Sequence, residues 1–301
     1  MIRDHLRRFY RRALPFLYAR SRFKLFLRST MGNIDQRMLA LASATDYFSS
    51  FVRAIPIRAP FGKSMLVVAP HQDDEAIGCG GALVLQVRSG QTASIVVLQD
   101  GADGHAELGY TRQALSELRN QESRRAAALV PTAAPTFLAH PVLLDDAAQV
   151  EELANILAER HVDAVFIPFV LDGEPGHRMA NYILAAALKK TPWNVRVFGY
   201  EVWGLCVPNV VLVIDDAIEK KTEMLRCFEF ANSALDYTNS TLGLNMFHSR
   251  MLGAGECRYA ERFFELPRQE YIDLVGRVRA AEPAGEAETT SVADGLVPDR
   301  L

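Results

Sequence analysis

The chain has 301 residues, 49% of them hydrophobic and 23% charged, which is ordinary for a soluble globular protein with one large domain or two small ones. A net charge of −3 leaves no basic surplus to neutralise phosphates, so nucleic acid is excluded as a main partner. No apolar run approaches the roughly 18–20 residues that cross a bilayer, and Cys79, Cys206, Cys227 and Cys257 are too scattered for a disulfide framework, a pattern that fits a reducing cytoplasm.

Residues 1–55 read as a basic, amphipathic, helical N-terminal extension. Within residues 1–28, Arg3, Arg7, Arg8, Arg11, Arg12, Arg20, Arg22, Lys24 and Arg28 oppose Asp4 alone. Ile2, Leu6, Phe9, Tyr10 and Ala13 share one helical face. Such a helix packs on the body of the protein or a partner chain, or lies on an anionic membrane surface; packing is the favoured reading. Residues 56–282 then alternate strands and helices, and 283–301 lack apolar periodicity and read as a disordered tail.

Within 56–282 the first strand is 64–69, a Val-rich run of the kind buried on both faces of a parallel sheet. Its helix is expected over 79–89. Strands follow at 93–98, 135–139 and 162–168, separated by a helix over 111–130 and another, capped by Asp145, that ends near Arg160. Another helix reaches Lys190, and strands are expected at 195–202 and 210–214. Asp216 opens a helix with Lys220, Lys221 and Glu223 on its polar side, and 259–266 is a late strand or extended edge. This rhythm predicts an α/β fold, a Rossmann-like three-layer α/β/α sandwich with a mostly parallel sheet.

The chemistry concentrates where the first strand ends. Pro70 is followed by His71, Asp73, Asp74 and Glu75. Sites in open α/β sheets form beyond the carboxyl ends of strands. An imidazole and a carboxylate three residues apart on a tight turn, His71 and Asp74, can share one divalent ion. Their donor types suit zinc, at about 2.0–2.2 Å. Asp73 is then free to act as general base on a water whose pKa the metal lowers from about 15.7 to about 7. One acid capping the next helix explains Asp73 or Asp74 alone, but not three acids and a His. The glycines Gly78, Gly80 and Gly81 fail the spacing of a dinucleotide loop, and acids upstream would repel a pyrophosphate. Cys79 reads as a small packing residue. A catalytic zinc takes three protein ligands, so a third must come from another loop on the same edge. His177, shortly past the fourth strand, is the best candidate. His105 ranks second, and His140, His161 and His248 follow.

The run Pro70-His71-Gln72-Asp73-Asp74-Glu75 with Gly78 and Gly80-Gly81 resembles the signature of the PIG-L/LmbE-like zinc-dependent N-deacetylases, whose usual form is A-H-P-D-D-E. That family includes the N-acetylglucosaminyl-phosphatidylinositol, mycothiol-pathway and bacillithiol-pathway deacetylases. Its late H-x-x-H motif resembles Glu174-Pro175-Gly176-His177, which again makes His177 the third ligand but puts Glu174 where the family's first His stands. That His serves substrate polarisation or leaving-group protonation, so the resemblance leaves the acid to Glu174, or to His105 or His248. Arg119 and Glu122 resemble an R-x-x-E helix whose Arg contacts sugar hydroxyls. His105 and Glu75 join Arg119 as expected substrate contacts. Tyr200-Glu201-x-Trp203 and Tyr259-Ala260-Glu261-x-Phe263 resemble the family's later elements. The resemblance implies a Zn2+ hydrolase, with another divalent metal as an alternative, that removes an acetyl group from an N-acetylated sugar or lipid-linked glycoconjugate. An amidase on a thiol-sugar conjugate and an inactive glycan-binding protein are the competing readings, and a homo-oligomer is allowed. The pocket walls are expected from loops at 101–112, 169–176 and 232–258.

Overall fold

A computed structural model describes residues 54–132, 134–252 and 257–281. The expectations for the N-terminal extension, apart from its last two residues, and for the tail lie outside the described residues. In chain order the elements are β1 (Ile55–Ile57), β2 (Ser64–Ala69), α1 (Asp74–Arg88), β3 (Thr92–Gln99), α2 (Arg112–Ala128), β4 (Thr136–His140), α3 (Ala147–Glu159), β5 (Ala164–Pro168), α4 (Pro175–Lys189), β6 (Arg196–Tyr200), β7 (Val210–Val213), α5 (Ile218–Arg226), α6 (Glu229–Ala234), α7 (Tyr237–His248), β8 (Ala260–Pro267) and α8 (Arg268–Ala281). Two short 3-10 turns, Asp215–Ala217 and Ser249–Leu252, complete it.

The eight strands form one sheet in the order β1-β7-β8-β6-β5-β2-β3-β4. The block from β6 to β4 is parallel throughout. β8 runs antiparallel to both β6 and β7, so it lies inside the sheet rather than at an edge. Alternation along β2 explains the three layers. Met65, Val67 and Ala69 join the core under α1, α2 and α5, whereas Leu66 and Val68 join the core under α3, α4 and α8. All five are fully buried, each larger side chain contributing about 1.5–3 kcal/mol. None of the four cysteines is in a disulfide among the described residues, and Cys79 is buried in the core as a packing residue.

From β2 the chain steps to β3 and β4 on one side. It then returns across the sheet to place β5 and β6 on the other. The order therefore reverses between β2 and β5. Such a reversal leaves a crevice beyond the carboxyl ends of the two strands that flank it.

Three local expectations are corrected. Helix α1 begins at Asp74, not near Cys79. Gly78, left ahead of the expected helix, lies inside it with Gly80 and Gly81, and other groups press close to these positions. A Cβ on Gly78 would lie 2.0 Å from the Tyr200 ring, and one on Gly81 would lie 2.6 Å from Ile214. Asp146, not Asp145, caps α3 by accepting from the Gln149 N–H, while Asp145 pairs with Arg279. Lys221 is fully buried rather than on the polar side of α5, because a carboxylate from β8 waits for it inside the fold.

Candidate metal centre

The crevice at the β2/β5 reversal receives His71 and the first turn of α1 from one side, and the loop after β5 with the start of α4 from the other. The His71 Nδ1 and His177 Nε2 atoms stand 3.4 and 3.3 Å from the same oxygen, Asp74 Oδ2. Donor atoms of the three residues all fall within 4.8 Å of one another. Among the described residues this is the one cluster of at least three His, Cys or acidic side chains able to share an ion. Two ligands of a tetrahedral zinc, each about 2.0–2.1 Å from the metal, stand about 3.3–3.4 Å apart. The two printed edges match that spacing. The imidazole–carboxylate–imidazole donor set suits zinc or a similar divalent transition ion.

Polar accounting points the same way. His177 is fully buried, yet neither ring nitrogen makes a hydrogen bond. Its Nδ1 faces Asp172 Oδ1 at 3.3 Å and its Nε2 faces Asp74. Burial alone would push this imidazole towards neutrality. The carboxylates of Asp74 and Asp172 outweigh burial and raise its pKa to about 10, so the spot demands positive charge. Burial would likewise raise Asp74, but His177 and His71 hold it well below the usual carboxylate range. A cation shared by the three groups meets the same demand and uses the orphaned Nε2 lone pair.

The turn that carries Asp74 is fastened from several sides. The His71 N–H donates to Asp74 Oδ2 at 2.9 Å. Asp73 sits at φ 119°, a region that non-glycine residues rarely occupy, so the motif turn stores strain beside its ligand. Gln72, where the family motif has Pro, turns away from the ion and donates to Asn120 Oδ1 at 2.8 Å and to the Asp100 carbonyl at 3.2 Å. Helix α1 breaks at Cys79 (φ −144°, ψ 25°). There the Lys221 ammonium donates to the Ile77 carbonyl at 2.9 Å and to Glu261 Oε1 at 2.6 Å, while Glu261 accepts the N–H groups of Gly81 and Ala82. This pair satisfies both open ends of the break.

The other expected site residues are placed as follows. The Arg119 guanidinium lies 3.5 Å from the Asp73 carboxylate and donates to the carbonyls of Gly101 and Gln72 at 2.8 and 2.9 Å. Burial pushes the Asp73 carboxyl well up, and Asp74 and Glu75 add to this while Arg119 opposes it. Glu75 is buried, accepting from the Ser123 hydroxyl at 2.6 Å and the Asp73 N–H at 3.0 Å. Burial raises its pKa to about 7. Glu174 caps α4, its carboxylate accepting the His177 N–H at 2.7 Å and lying 3.8 Å from His177 Nε2. His105 sits in the turn after β3, its Nδ1 against the Ala102 carbonyl at 3.0 Å. The lower-ranked histidines are held elsewhere. His140 pairs with Glu152, His161 packs near Trp193, and His248 is buried against Glu201.

Asp172, to which sequence reasoning assigned no role, lies against the cluster with its Oδ1 3.3 Å from His177 Nδ1. It is buried and orients His177, in the manner of the carboxylates that fix metal-bound imidazoles. Its position two residues before Glu174 was visible, but its direction was not. The loop 201–209, whose Tyr200-Glu201-x-Trp203 motif was noted, was not expected among the pocket walls, yet Asp172 accepts the N–H groups of Trp203 and Gly204.

Residues 66–188 match the family model for PIG-L, the GlcNAc-PI de-N-acetylases. Over 219 residues it is 24% identical to the diacetylchitobiose deacetylase of Thermococcus kodakarensis, a match spanning 65% of this chain and 78% of that protein. The N,N'-diacetylchitobiose deacetylase of Pyrococcus horikoshii, solved with an inhibitor, shares the fold at a TM-score of 0.62 and 21% identity, over 79% of this chain and 96% of that one. The 4-carboxy-2-hydroxymuconate hydratase of Pseudomonas putida KT2440 shares it at a TM-score of 0.58 and 21% identity, over 68% and 96%. The described residues thus have the expected Rossmann-like, mostly parallel architecture with helices on both faces. Among the described residues no helix is long and apolar enough to cross a membrane.

Proposed function

We propose that this protein is a zinc-dependent hydrolase that removes the acetyl group from an N-acetylated sugar or glycoconjugate. The observation that carries this is the convergence of His71, Asp74 and His177 on one ion-sized space at the β2/β5 crevice. The match to the PIG-L family model and a diacetylchitobiose deacetylase relative support the acetamide as the bond attacked. His71, Asp74 and His177 would hold the metal. When bound, zinc supplies Lewis acidity, acidifying water and drawing charge onto the acyl oxygen.

The chain's own residues do the rest. Asp73, held in a strained turn and raised in pKa by burial, takes the proton from the attacking water. Arg119 anchors that turn through the Gln72 and Gly101 carbonyls and sits beside the Asp73 carboxylate. Asp172 keeps the His177 ring in one orientation. Glu174, beside His177 Nε2, returns a proton to the departing amine. Acetate and a free amine are the products.

Acetate release from N-acetylhexosamine conjugates, with and without zinc, tests the reading. Asp73→Ala should retain zinc and lose acetate release by about a hundred-fold or more. Zinc-independent turnover, or full turnover in that variant, would refute it. The fold alone does not choose the reaction, since a hydratase shares it. Absence of acetate release from every sugar tested would turn attention to the non-acetyl amide or glycan-binding alternatives.

A further inference from the structure

Gln99 closes β3. Its backbone N–H donates to the Pro70 carbonyl at 2.9 Å, one residue ahead of His71. β3 loses register with β4 between Val97 and Gln99. Irregularities of this kind re-aim side chains, often beside active sites. Strict alternation would leave Gln99 on the face of Val97, under α1 and α2. Its carboxamide instead reaches the first turn of α4, which packs on the other face of the sheet. A Cβ on Gly176 would stand 2.8 Å from Gln99 Oε1 and 2.8 Å from Glu174 Oε2. The bare Cα of Gly176 is therefore what lets the carboxamide and the carboxylate converge on one point. Gln99 is buried, and its Oε1 has no hydrogen-bond partner among the described residues. Glu174 Oε2 accepts the His177 N–H at 2.7 Å and lies 3.8 Å from His177 Nε2, the nitrogen that faces Asp74.

We propose that Gln99 is the positioning residue for Glu174: its carboxamide, seated over the bare Cα of Gly176, holds that carboxyl group against the metal crevice. This rests on the proton-donor role given to Glu174 above and deepens it. A buried amide oxygen without a partner is costly, and two acceptor oxygens turned to one point repel. A half-turn of the carboxamide about its last bond removes both penalties, because Nε2 then stands beside the carboxylate as a donor. Unturned, Oε1 accepts from the carboxyl group while Glu174 carries the proton destined for the departing amine. A carboxamide thus holds Glu174 before and after proton delivery, whereas a Lys or Arg at that point would serve the ionised form alone.

Two variants separate this seat from packing. Gln99→Met keeps the length of the side chain and removes the amide. Gly176→Ala puts a methyl group between the two polar ends. The Gly176 backbone lies outside the left-handed region, helices favour Ala, and the atoms the methyl meets are the free ends of long side chains, so the chain should fold and keep zinc. In the zinc-loaded protein each variant should lower kcat for acetate release by about ten-fold and leave KM within about two-fold. In a Glu174→Gln background neither should lower kcat further, since Gln99 acts through Glu174. Full kcat in Gln99→Met, or a loss that multiplies with that of Glu174→Gln, overturns the assignment. Amide exchange gives a readout independent of turnover. The His177 N–H is held by the Glu174 carboxylate, whereas the Arg178 N–H donates to the Glu174 carbonyl at 3.3 Å. In the full chain, Gln99→Met should speed His177 exchange by about ten-fold, read by NMR, and leave Arg178 within about two-fold. If no sugar yields acetate, the deacetylase reading fails by itself. Exchange then still decides the seat: a faster His177 amide keeps it and an unchanged one removes it.

Discussion

Helix α1 carries two buried charge clusters, one on each side of its break at Cys79, and they are built on opposite principles. Beyond the break, Lys221 and Glu261 are both buried, and the pair makes four hydrogen bonds that leave the open ends of the helix satisfied. Before the break, Asp74 faces two imidazoles, and the buried ring of His177 has no hydrogen bond at either nitrogen. Buried polar groups in native proteins are nearly always paired; the buried His248 ring also lacks hydrogen bonds, but among the described residues His177 alone of the two stands within 4.8 Å of two further metal-type donors. One cluster is closed and structural; the other is open, with donor atoms spaced so that they could share a cation. The same helix can serve both because the break frees its first turn from the line of the rest.

The largest effect should come from the open cluster. Asp74→Asn removes the oxygen that both imidazoles approach. Bound zinc, measured by elemental analysis, should fall from one equivalent to near none, and acetate release should drop by about a thousand-fold or more. The thermal stabilisation that zinc gives the intact chain should vanish with it. Wild-type zinc content in Asp74→Asn would remove the metal centre altogether.

The closed cluster should respond in stability instead. Lys221→Met leaves the Glu261 carboxylate buried without its cation and should cost about 3–5 kcal/mol in urea unfolding. Lys221→Met with Glu261→Met removes both charges and should recover most of that loss. The comparison is sharpened if the double variant still binds zinc, since the fold would then tolerate loss of the pair while the open cluster keeps its ligands. A double variant as unstable as the single one would show that the pair is not the reason for the loss.

A smaller effect is expected between the two. Asp172→Asn keeps a polar group beside His177 but weakens its hold on the ring. Zinc affinity should fall about 10–100-fold by calorimetric titration, with the fold intact. Unchanged affinity would mean that packing alone orients the imidazole.

What the sequence disclosed follows from which contacts are local. His71 and Asp74 are three residues apart, so their candidacy as a pair of donors was readable from one turn. His177 could be reached because the strand pattern placed it past β5, on the edge where β2 also ends. The parallel order itself was legible from the Val-rich run of β2 and the alternation of elements. Lys221 was misread because a helical pattern counts every Lys as outward-facing, and its burial depends on Glu261, forty positions away. Asp172 and Trp203 meet across 31 positions, a contact that only the folded sheet brings about. The start of α1 was placed too late, beyond Gly78, because nothing local reveals that the Tyr200 ring presses on that glycine.

The smallest expected effect tests how the open cluster speaks to its neighbour. Burial raises Glu75 from the ordinary glutamate value of 4.5 to about 7, with the Ser123 hydroxyl and backbone N–H groups pulling the other way. An acid raised on folding adds stability below its unfolded pKa and loses that contribution as pH rises through the folded one. The metal-free chain should therefore lose stability between pH 4.5 and about 7, by on the order of 1 kcal/mol per pH unit. Glu75→Gln keeps the shape, can still pair with Ser123, and should flatten that slope. Zinc should flatten it too, because a divalent cation on the adjacent Asp74 favours the ionised glutamate. Denaturant unfolding across pH, with and without metal, separates the two clusters once more. A slope that survives zinc would mean that Glu75 does not sense the ion, and that the open cluster is electrically isolated from the helix turn that carries it.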